Sequence, residues 1–214
     1  MRFIEILDGG TVVRTSKEIR FTADPLLLAR FCRPKEDDNC LDIGTGCGII
    51  ILWLCDRGLR GHSAAIDISP EAIELTKRGL EESGITSVDA VLADARTFSG
   101  GLFSLIVCNP PYFRTGAGGV SGSDYRNISR SDSELTLRDM ALCMVRNLAP
   151  EGRACFCIPP ARYDDAVQAL DEAGLCVTRK ALVYNSSGSD EPRLILLEAG
   201  SGPAGSETEI IVEN

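Results

Sequence analysis

Cys40-Leu41-Asp42-Ile43-Gly44-Thr45-Gly46-Cys47-Gly48, followed by the nearly wholly apolar run from Ile49 to Asp56, is the stretch on which the fold turns. The first four residues read as a short buried strand. The glycines read as a loop, and the apolar run as a helix that ends near Gly58. A helix apolar on all sides is buried, as expected against the middle of a sheet. Glycines placed after a strand let the backbone turn tightly and approach a ligand, and the helix N-terminus behind them favours a negative group.

The strand, loop, helix pattern repeats downstream. Ser63 to Ile68 is a second strand, and Ser69-Pro70-Glu71 supplies an N-cap, a proline at the first helical position and an acid in the first turn of a helix reaching about Ser83. Val88 to Leu92 is a third strand, ending at Ala93-Asp94-Ala95. Leu102 to Cys108 is a fourth, halted by Asn109-Pro110-Pro111-Tyr112. Two prolines offer no backbone N–H and force the preceding residues into extended conformations, which holds Asn109 at the carboxyl end of the strand.

A loop rich in Gly, Ser and Arg runs from Phe113 to Asp132. Then come a helix over Thr136 to Leu148, a turn at Pro150-Glu151-Gly152, a strand over Arg153 to Ile158 and a helix over Ala161 to Ala173. Leu175 to Val183 and Arg193 to Glu198 are strands with no helix between them, so they should pair antiparallel.

Upstream of the glycine loop, Phe3 to Leu7 and Thr11 to Arg14 flank Asp8-Gly9-Gly10, a hairpin turn signal. A short β segment follows at Ile19 to Phe21, then a helix with Asp24 as cap and Pro25 as its first residue. The expectation is therefore an α/β chain. Residues 1–35 form a small hairpin-and-helix flap of the same domain, and 36–198 form a doubly wound, mostly parallel seven-stranded sheet with an antiparallel C-terminal strand. Residues 199–214 are expected to be a disordered tail. In such sheets ligands bind at the carboxyl ends of the strands, where Asp42 to Gly48, Asp67, Asp94 and Asn109 all fall.

Composition narrows the chemistry. Nine cysteines, odd in number and scattered through apolar runs, read as buried free thiols. With no Cys-x-x-Cys pair and His62 as the sole histidine, no metal site is expected, and a histidine-based catalytic pair is disfavoured. The longest uncharged apolar run, Ile49 to Cys55, is too short to span a membrane. The first residues carry no secretory pattern, so a cytoplasmic location is expected. Net charge is −9, yet bases outnumber acids from Met1 to Lys35, whereas only acids occur from Glu198 onward. A polyanionic partner would respond to that local sign.

Two details disfavour a dinucleotide in the glycine loop. Ile49 stands where a G-x-G-x-x-G fingerprint needs its third glycine, and Asp42 suits a cation such as a methionyl amine or sulfonium better than a pyrophosphate. Asp67 is placed to accept both hydroxyls of a ribose, which serves NAD and S-adenosylmethionine equally; it is equally suited to the turn before Ser69-Pro70.

Leu41 to Gly48, Asp67, Asp94 and Asn109-Pro110-Pro111-Tyr112 together resemble, in order and distance, the class I, Rossmann-like S-adenosylmethionine-dependent methyltransferases. More narrowly they resemble the amino-methylating group with an Asn-Pro-Pro-Tyr motif, over about Phe21 to Leu197. Phe21-Thr22-Ala23-Asp24-Pro25-Leu26-Leu27-Leu28-Ala29 is similar to the Thr-x-Asp-x-x-Leu-Leu segment that opens the bacterial tRNA(Val) adenine-37 N6-methyltransferases. Ser129-Arg130-Ser131-Asp132 with Leu135-Thr136-Leu137 resembles that family's Ala-Arg-His-Glu stretch and its following helix, with Ser131 where histidine is usual.

The resemblance implies S-adenosylmethionine as cofactor, held by Thr22, Asp24, Asp42, Gly44, Gly46, Gly48, Asp67, Ile68, Asp94, Ala95 and Asn109. It implies catalysis by Asn109, Pro110 and Tyr112, with the Asn109 side-chain oxygen and the Pro110 carbonyl accepting hydrogen bonds from a planar nitrogen. Pro111, Phe113, Arg114, Arg126 and Arg130 are the implied substrate contacts, and RNA, specifically tRNA, the implied partner. Oligomeric state is left open. Two alternatives remain. One is methylation of a glutamine side chain in a translation release factor, although those enzymes carry a sizeable helical domain before the glycine loop and about 40 residues precede it here. The other is a non-catalytic cofactor-binding scaffold, against which the intact Asn109 to Tyr112 speaks.

Overall fold

In the computed structural model, residues 2–110 and 135–213 are described. A two-stranded antiparallel hairpin, β1 (Arg2–Ile6) with β2 (Val12–Ser16), precedes helix α1 (Asp24–Phe31). The sheet then starts with β3 (Cys40–Ile43), α2 (Ile49–Asp56), β4 (Ser63–Asp67), α3 (Pro70–Glu82), β5 (Val88–Leu92) and β6 (Phe103–Cys108). It continues through α4 (Leu137–Asn147), β7 (Leu148–Ile158), α5 (Tyr163–Ala173), β8 (Cys176–Tyr184), β9 (Leu194–Gly200) and β10 (Glu207–Val212).

Strand order across the sheet is β10-β8-β9-β7-β6-β3-β4-β5. Only β9 runs against the others, pairing antiparallel with both β7 and β8 as the missing helix between β8 and β9 required. Period-two alternation sends one set of residues to each face. Cys40, Ala65, Leu105, Val107, Cys155 and Cys157 join a core with α1 and α2, whereas Leu41, Ile66, Ile106, Phe156 and Leu197 join a second core with α4 and α5. The nine cysteines are free thiols, all buried except Cys176.

Three expectations need correction. The segment expected to be a disordered tail contains β10, which adds an eighth strand by pairing in parallel with Arg179–Tyr184 of β8. Its acids are neutralised by cations of neighbouring elements. Glu209 pairs with Arg179 at 3.0 Å and with Arg33, and Glu213 pairs with Arg193. Composition described these acids as solvated because their partners lie far away in sequence. The Ile19 to Phe21 segment is not a strand; the Ser16 N–H closes a turn onto the Ile19 carbonyl instead. Asp24 does not cap α1: the N-cap is Ala23, and the Asp24 carboxylate accepts from Arg193 Nη1 at 2.6 Å. An exposed cap bond would compete with water, whereas a guanidinium adds charge to the hydrogen bond.

The hairpin is anchored to the C-terminal ends of two helices. Asp56 of α2 accepts from the N–H groups of Gly9 and Thr11, at 3.0 and 3.2 Å, and Ser83 Oγ after α3 accepts from Val12 N at 2.8 Å. Arg14 forks onto Glu82, with its closest contacts at 2.7 Å. These contacts hold the N-terminal segment beside the glycine loop, where Ile19 lies 4.0 Å from the position of a side chain at Gly46.

Candidate active site

Sheet register assembles the site. Ile43, the last residue of β3, pairs with Ile66 on one side and Cys108 on the other, and Cys108 pairs in turn with Phe156 of β7. The residues that follow these pairs, namely Gly44, Asp67, Asn109 and Cys157, therefore emerge side by side along the carboxyl rim. Successive strands leave β3 in opposite directions, to β4 and to β6, so the topological switch point lies between the glycine loop and Asn109. Asp42, Asp67, Asn109 and Cys157 also share a parity with Ala65, Val107 and Cys155, which puts them on the sheet face covered by α1 and α2.

The loop is built for glycine. Gly44, Gly46 and Gly48 have φ of 71°, 58° and 80°, in the left-handed region that other residues rarely adopt. A side chain on Gly44 would meet nothing within 4 Å among the described residues, so backbone conformation and not crowding demands glycine there, and toward those residues the loop's outer surface is open. Gly44 N and Thr45 N donate to the Ile66 carbonyl at 2.9 and 3.0 Å, stitching the loop to β4. Asp67 completes the stitch: its Oδ2 accepts from Gly46 N at 2.9 Å and its Oδ1 from Ser69 N at 2.8 Å. Both bonds leave carboxylate lone pairs unused.

Asp42 is buried, and Thr45 Oγ1 donates to its Oδ2 at 2.8 Å. Its Oδ1 meets no hydrogen-bond donor in good geometry among the described residues. Burial pushes the Asp42 carboxyl up to about 7, with the Thr45 hydroxyl and the nearby Ile51 backbone N–H opposing and the Asp67 charge reinforcing the shift. A buried carboxylate oxygen with this environment, beside a glycine loop, is chemically suited to a cation.

The other expected residues divide. Ile68 stands exposed just beyond Asp67, and Ala95 is half-buried against the α4/α5 core. Asp94 is engaged by Arg96, whose guanidinium reaches it at 2.6 Å and whose N–H donates to Oδ1 at 2.9 Å; this contact holds the Asp94 carboxyl below its ordinary range. Asp24 is fixed to the rim by Arg193, the residue just before β9, and Thr22 is exposed two residues earlier. Asn109 and Pro110 follow β6 directly. Pro111, Tyr112, Phe113, Arg114, Arg126, Arg130 and Ser131 lie outside the described residues. His62 pairs with Asp89 at 3.2 Å at the amino ends of β4 and β5, the opposite edge of the sheet from Asn109.

Sequence reasoning missed three participants. Cys157 donates its thiol to Asn109 Oδ1 at 3.0 Å. Thr76 of α3 donates to the Gly46 carbonyl at 3.2 Å, and Arg193 ties Asp24 to the rim. Only the Cys157 contact had a legible signal, since pairing the fourth and fifth strands in parallel register sets the residues after Cys108 and Phe156 side by side.

A doubly wound sheet with an acid on its first strand, a left-handed glycine loop, an acid ending the second strand and Asn-Pro ending the fourth defines a Rossmann-like methyltransferase. Residues 19–138 match the methyltransferase small domain, and the chain belongs to that family. It is 30% identical over 188 residues to a tRNA1(Val) (adenine(37)-N6)-methyltransferase of a Flavobacteriaceae bacterium, covering 87% of this chain and 79% of the relative. The enzyme of the same name from Phocaeicola vulgatus matches to the same extent, with 30% identity over 188 residues, 87% of this chain and 79% of the relative.

Among solved structures, a precorrin-6y C5,15-methyltransferase from Geobacter metallireducens superposes with a TM-score of 0.64 at 16% identity, over 89% of this chain and 94% of its own. A ribosomal protein L11 methylase from Lactobacillus delbrueckii gives 0.60 at 20%, over 82% and 75%. At such identities the likeness establishes the fold alone. The cofactor of the class is S-adenosylmethionine, and the residues here fit it. The buried Asp42 Oδ1 suits its cationic end, and the surface over Gly44, open toward the described residues, admits a ligand against the backbone.

Proposed function

We propose that the chain transfers a methyl group from S-adenosylmethionine to the N6 amino group of an adenine in RNA, with a tRNA as substrate, and that it does so in the cytoplasm. The observation that carries this reading is the placement of the Asn109 amide at the switch point, on the same sheet face as Asp42 and Asp67 and one strand from the glycine loop. The tRNA-modifying names of the relatives support the choice of acceptor.

The cofactor supplies a methyl group on a cationic sulfur. Asp42 would hold the cationic end and Asp67 the ribose hydroxyls, while the glycine loop would let the backbone approach. Thr22, Asp24, Ile68, Asp94 and Ala95 would complete the cofactor contacts. An exocyclic amino group is a weak nucleophile because its lone pair is delocalised into the ring. Asn109 Oδ1 and the Pro110 carbonyl would accept hydrogen bonds from its two N–H groups and draw the nitrogen toward a tetrahedral shape with its lone pair exposed; the methyl group it gains comes with cleavage of the sulfur–methyl bond and departure of a neutral thioether, and the nitrogen's surplus proton passes to water. Orientation and fixed dipoles then do the catalytic work, with no strong base required. Tyr112 and Phe113 would stack on the extruded base, with Pro111 as a further substrate contact. Arg114, Arg126 and Arg130 meet flanking phosphates.

The test is transfer of a radiolabelled methyl group to unmodified tRNA and, in parallel, to a translation release factor. Label in tRNA, recovered as N6-methyladenosine, is the expected outcome. Label found only in protein would overturn the RNA reading in favour of a glutamine acceptor.

A further inference from the structure

We infer that Cys157 is a positioning residue for the reaction: its thiol sets the orientation of the Asn109 side-chain amide and so keeps an oxygen, not an NH2 group, facing the acceptor nitrogen. This rests on the reading of Asn109 given above.

The geometry is direct. Cys157 stands next to the end of β7, fully buried, and its Sγ lies 3.0 Å from Asn109 Oδ1. Neighbouring positions explain the proximity, because Cys108 pairs with Phe156 and the two following residues share a sheet face. The need for such a contact follows from asparagine itself. The torsion that turns its terminal amide is broad and roughly two-fold, so an unrestrained side chain presents oxygen or NH2 with similar ease. A flipped amide would aim donors at an amino group that is itself a donor. One lone pair of Oδ1 takes the thiol proton and the second remains for the acceptor nitrogen.

The residue type also fits the place. Cys157 packs with Val107, Cys155, Leu194 and Leu196 in the core beneath α1 and α2. In that setting a thiol serves as a small apolar filler and a weak donor at once. A serine hydroxyl would keep the donor, but it is a stronger polar group to bury among those neighbours.

Packing and positioning therefore predict opposite rankings. Cys157→Ala keeps the apolar character and loses the donor; Cys157→Ser keeps the donor and costs stability. With saturating cofactor, Cys157→Ala should lower kcat about 5-fold, the worth of one ordinary hydrogen bond. Acceptor KM and cofactor Kd should stay within about twofold. Cys157→Ser should retain most of kcat while melting at a lower temperature. Undiminished kcat in the alanine variant, or a kcat ranking that follows melting temperature, would overturn the inference.

A second readout needs no acceptor and no transfer activity. The S–H stretching band lost in Cys157→Ser identifies this thiol in the infrared difference spectrum. Asn109→Ala should shift that band to the frequency of a thiol with a weaker acceptor, and an unmoved band refutes the contact. If tRNA proves not to be the acceptor, the proposed substrate fails on its own, while the infrared comparison still decides whether the Cys157 thiol holds the Asn109 amide.

Discussion

The two halves of the carboxyl rim are held in different ways. On the glycine-loop side the chain grips itself repeatedly: Thr45 to Asp42, Gly46 and Ser69 to Asp67, Thr76 to Gly46, and the Gly44 and Thr45 amides to Ile66. On the other side the Asn109 amide is met, among the described residues, by the Cys157 thiol alone. A densely tied half suits a ligand bound in the same pose in every turnover. The half with fewer ties among the described residues places the Asn109 oxygen where a nitrogen that must change shape during the reaction can meet it.

The largest effect should come from the sparse half. Asn109→Ala removes a group engaged chiefly as the acceptor nitrogen becomes tetrahedral, so kcat should fall on the order of 10²- to 10³-fold. Cofactor affinity, measured by calorimetry, should change less than about threefold. An equal loss in affinity would erase the distinction between the halves. Asp67→Ala should do the reverse. Loss of a charged acceptor for ribose hydroxyls, together with release of Gly46 N, should weaken cofactor binding roughly 10- to 100-fold. Turnover at saturating cofactor should be largely preserved.

Asp42 adds a pH signature peculiar to the dense half. Its carboxyl is raised to about 7 by burial, whereas in the unfolded chain it titrates near the ordinary value of about 3.9. Between those values the folded state binds the extra proton, so this residue makes stability fall as pH rises toward 7. A cationic ligand favours the ionised carboxylate, so cofactor affinity should rise over the same window, by at most tenfold per pH unit, and level off above about 7. In Asp42→Asn both slopes should vanish: affinity is weak and flat, and the melting temperature relative to the parent climbs with pH. A parent protein whose affinity does not vary between pH 6 and 8 would show that Asp42 does not face the cation.

How much of this could be read from the sequence follows from the range of the forces involved. The glycine loop, the buried α2 and the proline stop after Asn109 are local: φ preferences and missing N–H groups act within a few residues, and they appear where expected. The antiparallel β9 followed from the length of its connection. What escaped depends on distant partners. Glu209 and Glu213 looked like a solvated acidic tail until Arg33, Arg179 and Arg193 were beside them. Asp24 looked like a cap until Arg193 drew it away. At the site, Asp42 and Asp67 were legible as strand-end acids, but the bonds that orient them come from Thr45, Gly46 and Ser69 in the folded loop. Nothing but strand pairing beside Asn109 distinguishes the Cys157 thiol from the other eight cysteines.

The smallest predicted effect probes whether the dense half is redundant. Thr76 is fully buried in α3, and its hydroxyl reaches the Gly46 carbonyl at 3.2 Å while its side chain lies against Gly48, 3.0 Å from where a Cβ would stand. Thr76→Val preserves the shape and deletes the hydroxyl, which leaves the half-buried Gly46 carbonyl with one partner fewer. Loss of such a bond costs about 1 kcal/mol, or about 2–4 °C in melting temperature for a chain of this size. The loop keeps its other ties through Ile66 and Asp67, so cofactor affinity should fall less than about threefold and kcat should not change. A loss as large as that expected for Asp67→Ala would mean that the loop's bonds act as one cooperative unit. The contrast with Asn109 would then lie in which side chain touches the reacting nitrogen and no longer in how many ties hold each half.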